Sequence, residues 1–492
     1  MVPIIDLFAG PGGLSEGFEQ FLSNRKRVFR SALSIEKESN AHATLLLRAF
    51  FRQFSRVPED YYKYLRGELS LDELYERHPK QHAAAQKRAI KLSLSSRNAK
   101  RVDKLIRTAL KGHRKNWLLI GGPPCQAYSL AGRSRIRSEG EDEFQNDRRH
   151  VLYKEYLRIV RIFKPPVFVM ENVKGLLSSS AKGVETFSKI LKDFSEAGYA
   201  LHSFVKVGSG DQLDPSDYVI RAENYGIPQA RHRVILLGVK NGIPRGKSLL
   251  RAVKKVAIQS ALSDLPRIRS RISPRSNDSY EAWERELRLL TSVFTQAGKL
   301  RKMNGSRREL SSLPTGASFI PMQYPNPSAS KWLKTHKGWF FDSKIGGVSL
   351  HEARHHMPTD LRRYLFAAHY AHVKGSSPKI VDFSSWQRPN HQNIGKAARE
   401  APFGDRFRVQ LRGRPSTTVV SHISKDGHYY IHYDPTQSRS LSVREAARLQ
   451  TFPDNYYFTG TKTAQYHQVG NAVPPLLANR MAKIVHSILK HR

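Results

Sequence analysis

The chain holds a single cysteine, Cys125, in 492 residues. One thiol can neither close an internal disulfide nor build a cysteine-rich zinc cluster, and such scarcity suits a reducing compartment. Acidic residues are the second shortage: 42 Asp and Glu stand against 82 Lys and Arg, leaving a formal net charge of +40. An excess of that size is the footprint of a polyanionic partner, because each cation set against a phosphate releases condensed counterions. Long apolar runs are missing too. No stretch approaches the ~20 residues of a membrane-crossing helix, and the start, MVPIIDLFAG, lacks the basic head and cleavage pattern of a secretory leader. No internal repeat is present. The expectation is a cytosolic protein, with 39% hydrophobic and 10% aromatic residues to bury a core across two or three domains.

What is there is a series of strand and turn signals. Residues 2–7 are apolar and lead into Asp6-Leu7-Phe8-Ala9-Gly10-Pro11-Gly12-Gly13, a strand entering a glycine turn, with a helix expected over 14 to about 22. Further strands are expected at 28–35, ending on Glu36; at 117–120, ending on GGPPCQAYS; and at 166–170, ending on Glu171-Asn172-Val173. Helical stretches at 152–163 and 184–197 separate strands, which predicts a mostly parallel α/β sheet with ligands at the strands' carboxyl ends. Residues 218–222 and 234–239 flank a loop too short for a helical crossover, so they should pair antiparallel. That pairing brings the arginines of loop 223–233 to the sheet edge carrying Cys125 and Glu171.

The segment 48–115 is charged and helical without a convincing strand, and reads as an insertion. Residues 240–407, rich in Arg, Ser, Pro and His and poor in regular periodicity, read as a second domain. The expected organisation is thus a sheet-bearing part over 1–240, a separate domain over 241–407, and a return to the first part over 408–492. Residues 442–449 should be helical, and 474–489 should form a final amphipathic helix packing back on the sheet.

Glycines in the turn let a backbone approach a ligand closely, and the amides opening the next helix favour a negative group such as a carboxylate. Ser15 stands where GxGxxG needs its last glycine, which disfavours a dinucleotide. Glu36 follows at the ~20-residue distance where an acid accepts hydrogen bonds from ribose hydroxyls. Together they suit an adenosine without a pyrophosphate; the plain alternative is a tight turn. Cys125 sits in the stiff loop Gly121-Gly122-Pro123-Pro124-Cys125-Gln126 at a strand end, where a core cysteine has little reason to be. A free thiol titrates near ~8.5, so a helix amino terminus or an arginine must help it ionise. Glu171 ends a strand in line with that loop and suits acid work, against its plain reading as a solvated acid. Gln229, Arg231 and Arg233 alternate at the start of a strand and should face one way; two cations there also fit an ordinary surface.

The ordered set DLFAGPGGLSEGF, SIEKES, GGPPCQAYS, ENV, YGIPQARHRV, LSVREAARLQTFPDNY and GNAVPP, spread over residues 2–240 and 408–490, resembles the cytosine-C5 DNA methyltransferase family. The resemblance implies a Rossmann-like, mostly parallel sheet with an antiparallel hairpin, the S-adenosylmethionine-dependent methyltransferase fold, plus a smaller irregular target-recognition domain. It implies methyl transfer from S-adenosyl-L-methionine to carbon 5 of a flipped cytosine in double-stranded DNA, of the restriction-modification type. Cys125 corresponds to the nucleophile that adds to C6, and Glu171 to the acid at N3 and the exocyclic amine. Arg231 and Arg233 correspond to the arginines that hold the flipped base or the thiolate region, and Asn172 to a brace for the Glu171 loop. Asp6, Phe8, Gly10, Gly12, Gly13, Leu14, Glu36, Pro123, Asn471 and Val473 match cofactor positions. No metal is implied. The implied protein is a prokaryotic, cytoplasmic, nucleoid-associated monomer, open to pairing with a restriction endonuclease.

One departure concerns an acid the family places near the adenine, on a strand between the second and the cysteine-bearing one. The insertion obscures it, and Asp103 holds that place by position alone. Two other readings stay open: an enzyme for tRNA or other RNA, and a DNA-binding protein with a silent core. The long segment before LRGRPSTTVV favours DNA, since reading a DNA sequence takes groove contacts from an extra domain. Intact Cys125, Glu171 and Arg231 favour an active enzyme.

Overall fold

The computed structural model describes residues 1–113, 115–124, 148–177, 181–274, 278–296, 313–323, 326–389 and 404–490. Among them, β1 (Val2–Leu7), β2 (Phe29–Glu36), β3 (Ala89–Lys91), β4 (Leu118–Gly121) and β5 (Val167–Val173) pair in parallel in the order β3-β2-β1-β4-β5. The sheet continues through β6 (Tyr199–His202) and β7 (Val219–Arg221), both paired with a long antiparallel strand. A short strand, β8 (Gln229–Ala230), precedes that strand, β9 (His232–Lys240), which lies between β5 and β6. The expected hairpin of β7 and β9 is present, with Arg233 opposite Ile220. In β4 all four residues are buried, as a parallel strand covered on both faces requires.

Helices cover both faces. α1 (Gly13–Glu19) lies over Ile4, Ile120 and Val169 through Leu14 and Phe18. On the other face, α2 (Ala99–Ala109), α3 (Arg148–Phe163) and α4 (Ala181–Glu196) bury Val102, Ile106, Tyr156, Val160, Phe187 and Phe194 against Ile5, Leu7, Leu119 and Phe168. α5 (Tyr280–Gln296) and α6 (Pro358–Lys374) follow. The C-terminal return adds β10 (Ser416–Thr417), α7 (Val443–Leu449), α8 (Lys462–Asn471) and α9 (Pro475–Lys490). α9 packs back beside α1 as expected, its Leu477, Met481, Val485 and Ile488 completing the first core.

Three expectations need correction. α1 stops at Glu19 rather than near residue 22, because Asn24 and Arg25 take φ of 50° and 60° and turn a small hairpin of Leu22–Ser23 and Lys26–Arg27. The charged insertion does contain a strand: β3 pairs with β2 at Ser34–Glu36, and helices Glu59–Arg66, Leu71–Arg77 and Pro79–Gln86 precede it. Residues 240–407 are also more regular than their composition suggested, since α5 and α6 are 17 residues each. In α6, Leu361, Tyr364, Leu365 and Ala368 recur at helical spacing and are all buried. Phe383 and Phe407 share a hydrophobic cluster with Val409 and Ile431, so packing runs continuously from this segment into the return.

Candidate active site

Beside β1 the order of strands reverses: the chain moves outward from β1 to β2 and β3, then returns to β4 on the other flank of β1. The carboxyl ends of β1 and β4 therefore border the switch-point crevice where open α/β sheets bind ligands. β1 delivers the glycine turn there. β4 delivers Gly122, Pro123 and Pro124 and then Cys125, which lies outside the described residues.

The glycine turn is held by the end of β2. Ala9 N donates to Ile35 O at 3.1 Å, and Gly10 N donates to the Glu36 carboxylate at 2.8 Å. Phe8, Gly10 and Gly12 all have positive φ (56°, 56° and 92°), so Phe8 adopts a backbone that non-glycine residues rarely take. At Gly10 a Cβ would meet open space, leaving the backbone accessible. Gly13 is different: a Cβ there would lie 2.4 Å from Val473 O, so only glycine lets α1 begin under the α8–α9 turn. Leu14 is buried in the core below. The Tyr456 hydroxyl donates to Pro11 O from the opposite side.

Asp6 is 1% exposed, and neither of its carboxylate oxygens has a hydrogen-bond partner among the described residues. The nearby Ser15 hydroxyl gives its proton to Gly12 O at 3.1 Å. Burial pushes the Asp6 carboxyl up to about 8, and the charges of Glu36 and Glu19 add to the rise. A carboxyl group so placed is an unfilled partner for a positive charge.

At the end of β5, two consecutive residues touch the approach to Cys125. Asn172 Nδ2 donates to Pro123 O at 3.1 Å, while its Oδ1 accepts from Val173 N at 2.9 Å. Asn172 thus braces the cysteine-bearing loop itself. A Cβ on Gly122 would sit 3.2 Å from Glu171 Oε2, so the loop passes directly over this carboxylate. Glu171 Oε1 is ion-paired with Arg233 Nε at 3.0 Å. The register explains the pair: β9 sets Arg233 opposite Val173 and Ile235 opposite Glu171, making Glu171 and Arg233 diagonal neighbours at the same edge.

Arg231 goes elsewhere. It is 2% exposed, and its Nη1 donates to Val419 O at 2.9 Å and Gly470 O at 3.2 Å. Burial lowers its guanidinium to about 9, with the charge of Arg233 adding to the effect and that of Glu171 opposing it. Gln229 lies beside it: its Nε2 donates to Leu449 O and its Oε1 accepts from Val419 N at 2.9 Å. The expected alternation therefore holds for Gln229 and Arg231, which share Val419, while Arg233 turns to Glu171. Gln229 lies on β8, which pairs with β10 across almost 190 residues of sequence, Arg231 falls between β8 and β9, and Arg233 lies on β9. Asn471 is exposed at the end of α8, and the Val473 backbone abuts Gly13.

Asp103 has a different engagement: on α2, its carboxylate takes both hydrogen bonds of Arg158 Nη1, at 2.9 and 3.1 Å. The strand sought between β2 and β4 is β3, and the residues after it, Leu92, Ser93 and Leu94, include no acid. Contacts that sequence reasoning missed are those of Tyr456 at Pro11 and of Val419 and Gly470 at Arg231. Tyr456 stood within the TFPDNY motif, but nothing local shows that it reaches the glycine turn.

The family model described as C-5 cytosine-specific DNA methylase matches residues 98–487. The Type II methyltransferase M.Bpa9945I of Bacillus paralicheniformis is 34% identical, with 99% of each chain covered. M.DdeI of Desulfomicrobium norvegicum is 28% identical over 98% of this chain and 87% of its own. The DNA (cytosine-5-)-methyltransferase M.ApeKI of Aeropyrum pernix is 27% identical over 79% and 84%. In fold, the chain is similar to a crystal structure from E. coli described as a DNA modification methyltransferase encoded within a prophage, with a TM-score of 0.52, 20% identity and full coverage of both chains. The chain belongs to the C-5 cytosine-specific DNA methylases, enzymes that are DNA (cytosine-5-)-methyltransferases.

Proposed function

We propose that this enzyme transfers a methyl group from S-adenosyl-L-methionine to carbon 5 of a cytosine flipped out of duplex DNA, through a covalent bond between Cys125 and carbon 6. The observation that carries the reading is the passage of Gly122 and Pro123, three and two residues before Cys125, against Glu171 and Asn172 beside the glycine turn. The residues of the turn fit an adenosine-bearing cation. Glu36 would accept the ribose hydroxyls, the open backbone at Gly10 would admit the ligand closely, and Asp6 would meet its positive charge. When bound, the donor supplies an electrophilic methyl group.

The remaining chemistry falls to this chain. The Cys125 thiolate adds to carbon 6 and converts the ring into an enamine that is nucleophilic at carbon 5. Glu171 engages N3 and the exocyclic amine and stabilises the charge that develops there, and Arg233 holds Glu171 in orientation through their 3.0 Å ion pair. Arg231 fixes the Val419 and Gly470 backbones at the same edge. After methylation a base removes the carbon 5 proton and the thiolate leaves. Cytosine is unreachable within the stack, so it has to leave the duplex for this chemistry.

Residues 241–407 serve as the target-recognition part, reading base edges in the major groove. The enzyme works as a monomer, and the likeness to Type II methyltransferases supports a place in a prokaryotic cytoplasm beside a restriction endonuclease. No helix of the described residues is long and apolar enough to cross a membrane. The reading is tested by incubating the protein with methyl-labelled donor and either duplex DNA or tRNA, then identifying the labelled nucleoside. Label in 5-methyl-2′-deoxycytidine from DNA is the expected result; label confined to tRNA, or on an exocyclic nitrogen, would refute it.

A further inference from the structure

A cavity of about 660 Å³ opens where residues 241–407 meet the C-terminal return. One wall carries Arg271, Glu352 and Arg354; the other carries Lys425, Lys462 and Tyr466. The four cations face two carboxylates. One of these, Asp278, is already paired with Arg269 at 3.0 Å, and the other, Glu352, is shared by Arg271 at 2.6 Å and Lys462 at 3.1 Å. The Arg354 guanidinium meets no carboxylate among the described residues. It donates to the backbone oxygens of Lys425, at 2.9 Å, and Ile423, and lies 3.6 Å from the Tyr466 ring centroid. Such neutral partners fix its position without cancelling its charge. The exposed Lys425 has no ion pair among the described residues, and Nε of both Arg271 and Arg354 is buried without an acceptor.

A purely structural role would account for Arg271 and Lys462, which rivet Glu352. It does not account for Arg354 and Lys425, whose charges stand uncompensated in one recess. The location narrows the ligand. Lys462 opens α8 and Gly470, which touches Arg231, lies near its other end. Eight residues of helix put the two about 12 Å apart, a few nucleotide steps at ~3.4 Å each along a DNA strand. We infer that this cavity seats a backbone phosphate of the DNA, a few nucleotides from the cytosine being methylated, with Arg354 and Lys425 as its cations. The inference rests on the reading of the protein as a DNA methyltransferase and adds where the strand beside the target is gripped.

The test measures duplex DNA binding as a function of salt for the full chain, with Lys425→Gln, the double variant Lys425→Gln/Arg354→Gln, and Lys192→Gln as an exposed control on α4. Each lost phosphate contact should flatten the plot of log Kd against log salt by about 0.9. The single variant should therefore lose about one contact's slope and the double variant up to twice that, while the control matches wild type. Melting temperatures in inorganic phosphate and in chloride of equal ionic strength separate a DNA phosphate from a free anion. An unchanged slope in Lys425→Gln overturns the inference, and an unchanged slope with a Lys425-dependent stabilisation by phosphate assigns the cavity to a free anion instead. Both results can occur with methyl transfer to DNA intact; absence of that transfer in wild type defeats the enzyme reading and is scored in a separate assay.

Discussion

Two carboxylates at this edge of the sheet have opposite surroundings. Asp6 is buried without a partner, and its carboxyl titrates at about 8 in the fold against 3.8 ordinarily. Between those values the folded protein keeps a proton that the unfolded chain has released, so this group makes stability fall as pH rises through that window. Asp6→Asn preserves the shape without the titration. In the absence of donor, urea unfolding should show the variant gaining on wild type as pH rises from 4 to 8, by roughly 1–4 kcal/mol at the upper end. A difference that stays constant with pH would show that Asp6 is not held protonated. Glu171, by contrast, is paired with Arg233 and lies under Gly122. Glu171→Gln should slow methyl transfer by ~100-fold or more, the scale of losing a group that acts in the transition state, with little change in donor affinity. If the donor Kd rises as much as the rate falls, Glu171 belongs to the cofactor site.

At the scale of elements, the crevice depends on how closely α1 and α9 approach. A Cβ on Gly17 would lie 2.2 Å from Pro475 O and 2.4 Å from Ala478 Cβ, so the glycine lets the last helix lie directly on the first. The segment 241–407 stands apart from this core in composition, and a swap tests its role. Exchanging it for the matching segment of a relative with a different recognition sequence should move methylation to the donor's sequence; a folded, active chimera that still marks the original sequence would place recognition elsewhere. Much of the central sheet was legible because parallel strands are short apolar runs that end in glycine, proline or acid, as at Gly10, Gly122 and Glu171. The hairpin of β7 and β9 followed from loop length alone. β3 was missed because its three residues, Ala89–Lys91, sit in a charged stretch and gain their strand form from the edge of β2. α5 and α6 were missed because frequent charge and histidine mask an apolar repeat that was present. The partners of Arg231 were out of reach, since Val419 and Gly470 lie 188 and 239 positions away in sequence.

Over the whole molecule, the +40 chain packs helices on both faces of the central sheet, and the switch-point crevice lies at the carboxyl ends of β1 and β4. The N-terminal turn, the loop from β4, the end of β5 and the C-terminal return all meet there. The positive charge suits a DNA substrate and predicts strong salt dependence of binding. The central claim is that Cys125 attacks the cytosine ring, and duplex DNA with 5-fluorocytosine in place of every cytosine tests it most directly. After methylation, fluorine cannot leave carbon 5 as a proton does, so the enzyme should be trapped on the DNA, in the presence of donor, as a methylated adduct whose peptide mass maps to Cys125. Cys125→Ser should form no adduct and transfer no methyl group, since a hydroxyl is far harder to ionise than a thiol. Failure of wild type to form an adduct, together with methyl transfer to ordinary DNA persisting in Cys125→Ser, would contradict the claim.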